Sequence, residues 1–212
     1  MWNTMMQNNL GWKQGAKDGL PIALGYLSVS FTFGMAAAAA GLSAGEAVMI
    51  SATNLTSAGQ FAGLTLIQTQ ASLFEMALTT LVINLRYALM SLSLAQKLDP
   101  AMSRLQKAVL AFGNTDEIFA VAVSHPVVRF HYMLGLILTP MAGWVGGTFL
   151  GCAFSALLPE AVRAAFAVAI YGMFIAIVAP VARQLKSVAI VVGIAVAMSV
   201  TLHVCPLFSW IS

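Results

Sequence analysis

Residues 51–60 read Ser-Ala-Thr-Asn-Leu-Thr-Ser-Ala-Gly-Gln, a run of small and polar residues inside a long apolar stretch. No Asp, Glu, Lys or Arg occurs between Glu46 and Glu75, so this stretch is long enough for one membrane crossing of about 20 residues. Interrupted backbone at membrane depth is tolerated only where it lines a cavity or is buried in protein. The run therefore predicts a broken or re-entrant helix beside a cavity.

The composition of the whole chain is that of a helical membrane protein. Its 212 residues are 60% hydrophobic and only 8% charged, whereas roughly a quarter of the residues of a soluble domain are charged. Uncharged stretches also run from Asp18 to Glu46 and from Arg129 to Glu160. The alanine run 36–40 lacks the alternation of a transmembrane barrel. The predicted fold class is therefore all-α, a polytopic integral membrane protein.

Seven apolar segments with short connections predict a single transmembrane domain over residues 1–212. The segments cover residues 19–40, 44–68, 74–96, 105–124, 132–158, 164–182 and 188–210. Residues 1–18 carry Lys13, Lys17 and Asp18, and we expect an interfacial segment there before the first crossing. These residues lack the apolar core and the small-residue cleavage site of a secretory signal.

The basic residues restrict the number of crossings. If every segment crossed, the basic residues in 13–17 would lie opposite the basic loop of residues 97–107, against the positive-inside rule. The conflict disappears if the second segment enters and leaves on the same side. If the sixth segment, 164–182, does likewise, only Arg129 stays outside and the two halves are inverted copies, as in many transporters.

Arg86 lies near the middle of an otherwise uncharged stretch, residues 76–96. Ionisable groups at such depth are costly and mark functional sites. Arg86 would hold a carboxylate of the substrate or of the protein through a bidentate contact, or it would form a fixed ion pair that only joins helices. The expected protein partner is Asp116 or Glu117, and the other acid would bind and release a proton. The alternative places both acids in water at a helix end, since Lys107 is close in sequence.

Uncharged polar side chains are the predicted substrate contacts. In one continuous helix, Thr53, Thr56 and Gln60 would share a face at spacing i, i+3, i+7. Such groups, with the free backbone ends at a break, suit the ammonium and carboxylate of an amino acid. The predicted substrate-binding residues are Asn54, Thr56, Ser57, Gln60, Asn84 and Arg86, and the predicted proton-coupling or ion-pair residues are Asp116, Glu117 and Arg86.

Small residues predict close contacts between helices. Gly143, Gly147 and Gly151 recur every four residues, and Gly34 precedes the alanine-rich run. Ladders of this kind let helix backbones approach closely, so these four glycines are predicted to serve helix packing.

The sequence contains no spacing typical of an enzyme. It has no His-Glu-x-x-His or comparable set of metal ligands and no phosphate-binding loop. We therefore expect no metal, no cofactor and no enzymatic activity. The net charge of +3 is what basic loops beside a membrane produce, so no nucleic-acid partner is expected.

Several short motifs follow one another along the chain, and their order and spacing are characteristic. They are Gly-Leu-Pro-Ile-Ala-Leu-Gly-Tyr at 19–26, Phe-Gly at 33–34 with Gly-Leu-Ser at 41–43, Ser-Ala-Gly-Gln-Phe at 57–61, Asn-Leu-Arg-Tyr at 84–87 with Met-Ser at 90–91, and Thr-Asp-Glu-Ile-Phe at 115–119. On these motifs the chain resembles the AzlC/YgaZ family of bacterial branched-chain amino-acid exporters. It departs at Tyr87, where relatives usually have His, so a proton relay through that His is not carried over.

The resemblance implies a multi-pass permease subunit of the bacterial inner membrane that exports valine, leucine, isoleucine or similar amino acids. It also implies a very small hydrophobic partner subunit of the AzlD/YgaH type. Proton antiport is the expected energy source, because intramembrane carboxylates are the obvious titrating groups. The alternatives are a membrane subunit of an ATP-driven permease and a transporter of a different small amphipathic solute.

Overall fold

The computed structural model describes residues 11–159, 161–162, 164–165, 168, 172, 175, 178–179 and 182–204. Contacts divide the chain into two units, Met1–Ala167 and Val168–Ser212. The helices are α1 (Trp12–Ala39), α2 (Ala44–Thr53), α3 (Ser57–Gln68), α4 (Leu73–Ala95), α5 (Arg104–Phe112), α6 (Asp116–Val123), α7 (Phe130–Phe154) with a 3-10 turn (Ser155–Leu157), and α8 (Lys186–Val204). No named strand occurs in this described part of the chain, and the all-α prediction is confirmed.

Three helices of the described residues are long and apolar enough to cross a membrane. They are α1, α4 and α7 with its 3-10 extension. In the second unit, Lys186–Thr201 is a shorter apolar helix. The seven predicted segments do not become seven crossings, because the second and fourth are each split into two helices. The predicted sixth segment lies largely outside the described residues.

Helices α1 and α7 form the scaffold of the first unit. A Cβ atom at Gly15 would collide with the backbone of Tyr132, and one at Gly34 would collide with the backbone of Thr148. The earlier residue of α1 meets the earlier residue of α7, and the later meets the later. The two helices therefore run parallel. In the same way, Cβ atoms at three glycines of α7 would collide with the backbone of α1: Gly143 with Ala23, Gly147 with Leu27 and Gly151 with Phe31. The four glycines named from the sequence thus lie where the two helices touch.

The second segment is broken where its polar run predicted. Helix α2 ends at Thr53 and α3 begins at Ser57, with extended backbone at Asn54 and Thr56 between them. The predicted shared face of Thr53, Thr56 and Gln60 is therefore wrong. Thr53 closes one helix, and Thr56 precedes the next as its N-cap.

Helices α2 and α3 form a hairpin, called hairpin 1 below (residues 44–68). Ala47 early in α2 and Leu64 late in α3 belong to one buried cluster with Ala37, near the end of α1. The two helices therefore run in opposite directions, and the chain returns to the end of the unit from which it entered. A hairpin is the course expected of a segment that enters and leaves the membrane on the same side.

The fourth segment is a second hairpin, called hairpin 2 (residues 104–123). Helix α6 runs alongside α4 in the same direction: Asp116 contacts Arg86, and the carbonyl of Val123 accepts a hydrogen bond from Lys97. Helix α5 starts after the loop that follows Lys97, so hairpin 2 enters and leaves at that end of the unit.

The predicted crossing over residues 105–124 is therefore wrong. Gly113, Asn114 and Thr115 interrupt the apolar run, and α6 begins at the acidic pair that follows. Carboxylates are stabilised in the first turn of a helix by its dipole, which favours a new helix start at Asp116. Apolar length alone does not distinguish one crossing from two helices of half that length.

Most basic residues of the described range 11–159 lie at one end of the first unit. The Tyr132 hydroxyl donates to Asp18 at 2.9 Å, and the Val128 N–H donates to the Lys97 carbonyl at 2.8 Å, so the start of α1, the loop after α4 and the start of α7 lie together. Within residues 11–159 every Lys and Arg except Arg86 belongs to this end, namely Lys13, Lys17, Lys97, Arg104, Lys107 and Arg129. The positive-inside rule assigns this end to the cytoplasm.

Two expectations about this end are corrected. Arg129 lies with the other basic residues and not on the opposite side, because hairpin 2 does not cross. Residues 12–18 are the first turns of α1, which begins before the expected boundary at Gly19. The remainder of the predicted interfacial segment, residues 1–10, lies outside the described residues.

Single cysteines test the course of hairpin 2. In a variant without Cys152 and Cys205, we expect Ala101→Cys and Val127→Cys to react with a membrane-impermeant maleimide from the same side. Thr69→Cys, between hairpin 1 and α4, should react from the other side. Labelling of positions 101 and 127 from opposite sides would mean that residues 105–124 cross the membrane.

Two adjacent glycines test the scaffold. Gly147→Ala places a methyl group against Ser30 and the Leu27 carbonyl, whereas Gly146→Ala meets nothing within 4 Å. We expect Gly147→Ala to lower the free energy of unfolding by about 1–3 kcal/mol through overpacking. Gly146→Ala should be neutral or slightly stabilising, since alanine favours helix over glycine. Equal melting temperatures in detergent for the two variants would contradict the α1–α7 contact.

Candidate functional site

The tips of the two hairpins line one cavity of about 170 Å³ together with α4. Residues 53–56 contribute from hairpin 1, Asn84 and Tyr87 from α4, and residues 111, 112, 114 and 115 from hairpin 2. The cavity lies near half the length of the crossing helices, since Asn84 is central in α4 and Thr115 contacts Tyr26, central in α1. Two interrupted helices that enter from opposite ends therefore meet at this depth.

Gln60 holds the break in hairpin 1. The side chain is 2% exposed, and its amide nitrogen donates to the Asn54 carbonyl at 2.6 Å and to the Ser51 hydroxyl at 3.2 Å. Ser51 in turn hydrogen-bonds Thr148 of α7 at 2.6 Å. Gln60 thus satisfies a carbonyl that the break removes from the helix, and it anchors the tip to the scaffold.

The residues predicted as substrate contacts separate into two groups. Asn54, Thr56 and Asn84 line the cavity, whereas Ser57, Gln60 and Arg86 do not. Thr56 also caps α3, because its hydroxyl accepts the Gly59 N–H at 3.3 Å.

Asn114 fixes the tip of hairpin 2 on α4. Its side chain is 4% exposed, and its amide nitrogen donates to the Ser91 hydroxyl at 3.1 Å. Thr115 beside it lines the cavity and contacts α1. Among the described residues no three His, Cys, Asp or Glu side chains lie close enough to hold a metal ion. The cavity is therefore lined by amide and hydroxyl side chains together with the apolar residues Leu55, Ala111 and Phe112.

Arg86 forms an ion pair with Asp116, with 3.0 Å between the guanidinium nitrogen and the carboxylate oxygen. The guanidinium also lies over the ring of Tyr87, 5.0 Å from its centroid, a favourable cation–π geometry. Tyr87 lines the cavity and Arg86 lies behind it. The pair therefore joins α4 to the first turn of α6. The side chains are 44% and 37% exposed, respectively.

Glu117 has a different partner from its neighbour. Its carboxylate lies 2.6 Å from the hydroxyl of Tyr26, which is also 2.6 Å from the Thr115 hydroxyl. The ring of Tyr26 packs edge-on against Trp144 of α7, with 5.2 Å between centroids. No Lys, Arg or His of the described chain lies within ion-pair distance of Glu117. Asp116 is thus neutralised by a cation, while Glu117 is held by the hydroxyl of Tyr26.

Some residues of this site did not emerge from the sequence as site residues, among them Tyr26, Tyr87, Asn114 and Thr115. The signal for Asn114 and Thr115 was present, because Gly113 and two polar residues interrupt an apolar run as residues 51–60 do. Tyr26 carried no such signal, since its partners are about 90 positions away in the sequence.

Known proteins resemble this chain over most of its length. The family described as AzlC protein matches residues 21–158. The Inner membrane protein YgaZ of Escherichia coli is 34% identical over 147 residues, 67% of this chain and 60% of that protein. An uncharacterized membrane protein of Archaeoglobus fulgidus is 34% identical over 190 residues, 89% and 84% respectively. An uncharacterized membrane protein of Helicobacter pylori J99 is 32% identical over 143 residues, which are 64% of this chain and 62% of that protein.

The chain thus spans less than two thirds of the length of the Escherichia coli and Helicobacter pylori relatives. No solved structure matches the chain.

A double-mutant cycle tests the ion pair. We expect Arg86→Met and Asp116→Leu each to destabilise the protein, because each leaves one charge unpaired at membrane depth. The double variant should recover part of the loss, with a coupling of about 0.5–3 kcal/mol. Lys107→Met, an exposed basic residue of the cytoplasmic end, serves as the control. Strictly additive effects on the unfolding temperature would show that the two charges do not interact.

Proposed function

Because the chain belongs to the AzlC family of membrane proteins, we propose that it is a transport subunit exporting branched-chain or similar amino acids across a bacterial inner membrane. The observation that carries this proposal is the cavity between two interrupted helices at the middle depth of the crossing helices. Secondary transporters bind substrate at such breaks. A volume of about 170 Å³ lies below the roughly 300–1,000 Å³ of pockets for drug-sized ligands, which favours a small solute.

The two hairpins suit alternating access. Hairpin 1 separates the cavity from one side of the membrane, and hairpin 2 separates it from the basic, cytoplasmic side. Each is anchored to the scaffold by few polar contacts: Ser51 with Thr148 for the first, and Glu117 with Tyr26 for the second. Displacement of one hairpin at a time would open the cavity to one side at a time.

Glu117 is the acid that suits proton coupling. Asp116 is occupied by Arg86, whereas Glu117 adjoins the cavity residue Thr115 and is held by the Tyr26 hydroxyl. Proton binding at Glu117 would change the hydrogen bond that fastens hairpin 2 to α1. A change in protonation and a movement of the hairpin would therefore be linked through the same contact.

The exposed face of α4 suits a small hydrophobic partner of the AzlD type. Large apolar side chains such as Leu85 and Leu89 are more than half exposed there. Arg86 and Asp116 are also partly exposed, although both lie at about the middle depth of the crossing helices. Contact of this charged pair with lipid would be unfavourable, so we expect a protein surface rather than lipid to pack against α4.

Export measurements test the proposal directly. Cells that produce the chain with and without its small hydrophobic neighbour are loaded with labelled valine, leucine, isoleucine or methionine. We expect faster loss of label for at least one amino acid when both proteins are present. Unchanged label for all four, with the protein confirmed in the membrane, would overturn amino-acid export.

The same cells test the role of Glu117. We expect Glu117→Gln to lose most of the export that responds to the proton gradient, because the amide cannot release a proton. Glu75→Gln, at an exposed position in the first turn of α4, should export like the parent chain. Export that is indifferent to collapse of the proton gradient would contradict proton coupling.

A further inference from the structure

Two buried side-chain oxygens of cavity-lining residues have no hydrogen-bond donor among the described residues. They are Oδ1 of Asn84 and Oδ1 of Asn114, and both residues line the cavity. Asn114 is 4% exposed, and its amide nitrogen is directed to Ser91, which leaves its oxygen as the free group. Buried acceptors are nearly always paired in native proteins, so the two oxygens indicate a ligand that donates hydrogen bonds.

The helix ends around the cavity favour the same kind of ligand. Thr53 and Phe112 are the last residues of α2 and α5, and both line the cavity. A helix C-terminus carries partial negative charge and unpaired carbonyl groups. These two helix ends border the same cavity as Asn84 and Asn114, and their partial negative charge favours a cationic group there.

We propose that this wall binds the primary ammonium group of the transported solute, with the side-chain oxygens of Asn84 and Asn114 as its acceptors. This inference rests on the proposed function, since it assigns one end of the amino acid to one part of the same cavity. An ammonium group has three donors and no acceptor, which matches two amide oxygens and a carbonyl end. The binding is to neutral oxygens, so no carboxylate is needed as counter-ion.

Binding to the purified full chain in lipid nanodiscs tests the assignment, with labelled leucine and labelled 3-methylbutylamine as separate probes. The competitors are 3-methylbutylamine, which lacks the carboxylate, and 4-methyl-2-oxopentanoate, which lacks the ammonium group. We expect the amine to compete and the keto acid not to compete. Asn84→Leu and Asn114→Leu should weaken amine binding by roughly tenfold to a hundredfold, the effect of losing a hydrogen bond to a charged group.

Two further variants separate recognition from folding. Gln68→Leu removes an exposed amide at the end of α3 and should bind both leucine and the amine like the parent chain. Asn114→Asp keeps the oxygen and should retain amine binding, even if Asn114→Leu does not fold. Loss of amine binding in Asn114→Asp with intact folding would overturn the proposal.

The outcomes distinguish this inference from the proposed function. Leucine binding that the keto acid displaces as well as the amine would overturn the ammonium site and leave amino-acid transport standing. Amine binding that depends on Asn84 and Asn114, without any leucine binding, would support the ammonium site and overturn amino-acid export. Absence of binding by both ligands would overturn the inference.

Discussion

Unpaired backbone groups at membrane depth are the constraint on which this structure depends. Hydrocarbon offers no hydrogen bonds, so a helix can stop at mid-depth only where protein groups or a polar cavity receive its free ends. Both interruptions meet this condition at the same place. The Gln60 amide donates to the Asn54 carbonyl, the Gly59 N–H donates to the Thr56 hydroxyl, and residues of both interruptions line one shared cavity.

The close contact of α1 and α7 gives the two hairpins a common support. Glycine at the contact points brings the backbones together, so Tyr26, Trp144 and Thr148 form one surface from two helices. Hairpin 1 is held on this surface through Thr148, and hairpin 2 is held through Tyr26. The position of both tips is therefore determined by helices that lie far from them in the sequence.

Local signals in the sequence predicted much of this architecture, and non-local ones were missed. Composition gave the helical membrane class, the glycine ladder indicated the close contact, and residues 51–60 predicted the first interruption. The second interruption escaped because Gly113 to Thr115 is short and the flanking apolar residues add up to one crossing. The partners of Tyr26 could not be predicted, since a hydrogen bond across about 90 residues leaves no trace in a single sequence.

The shortness of the hairpin helices has a consequence for biogenesis. Helix α5 has 9 residues and α6 has 8, which at 1.5 Å per residue is well under the roughly 30 Å of a bilayer core. Neither can be integrated alone as a spanning segment during synthesis. Leu110 and Ile118 belong to one buried cluster with Tyr132 and Leu136 of α7, which emerge later from the ribosome. We therefore expect hairpin 2 to enter its final position only once α7 is in place, as a late step of assembly.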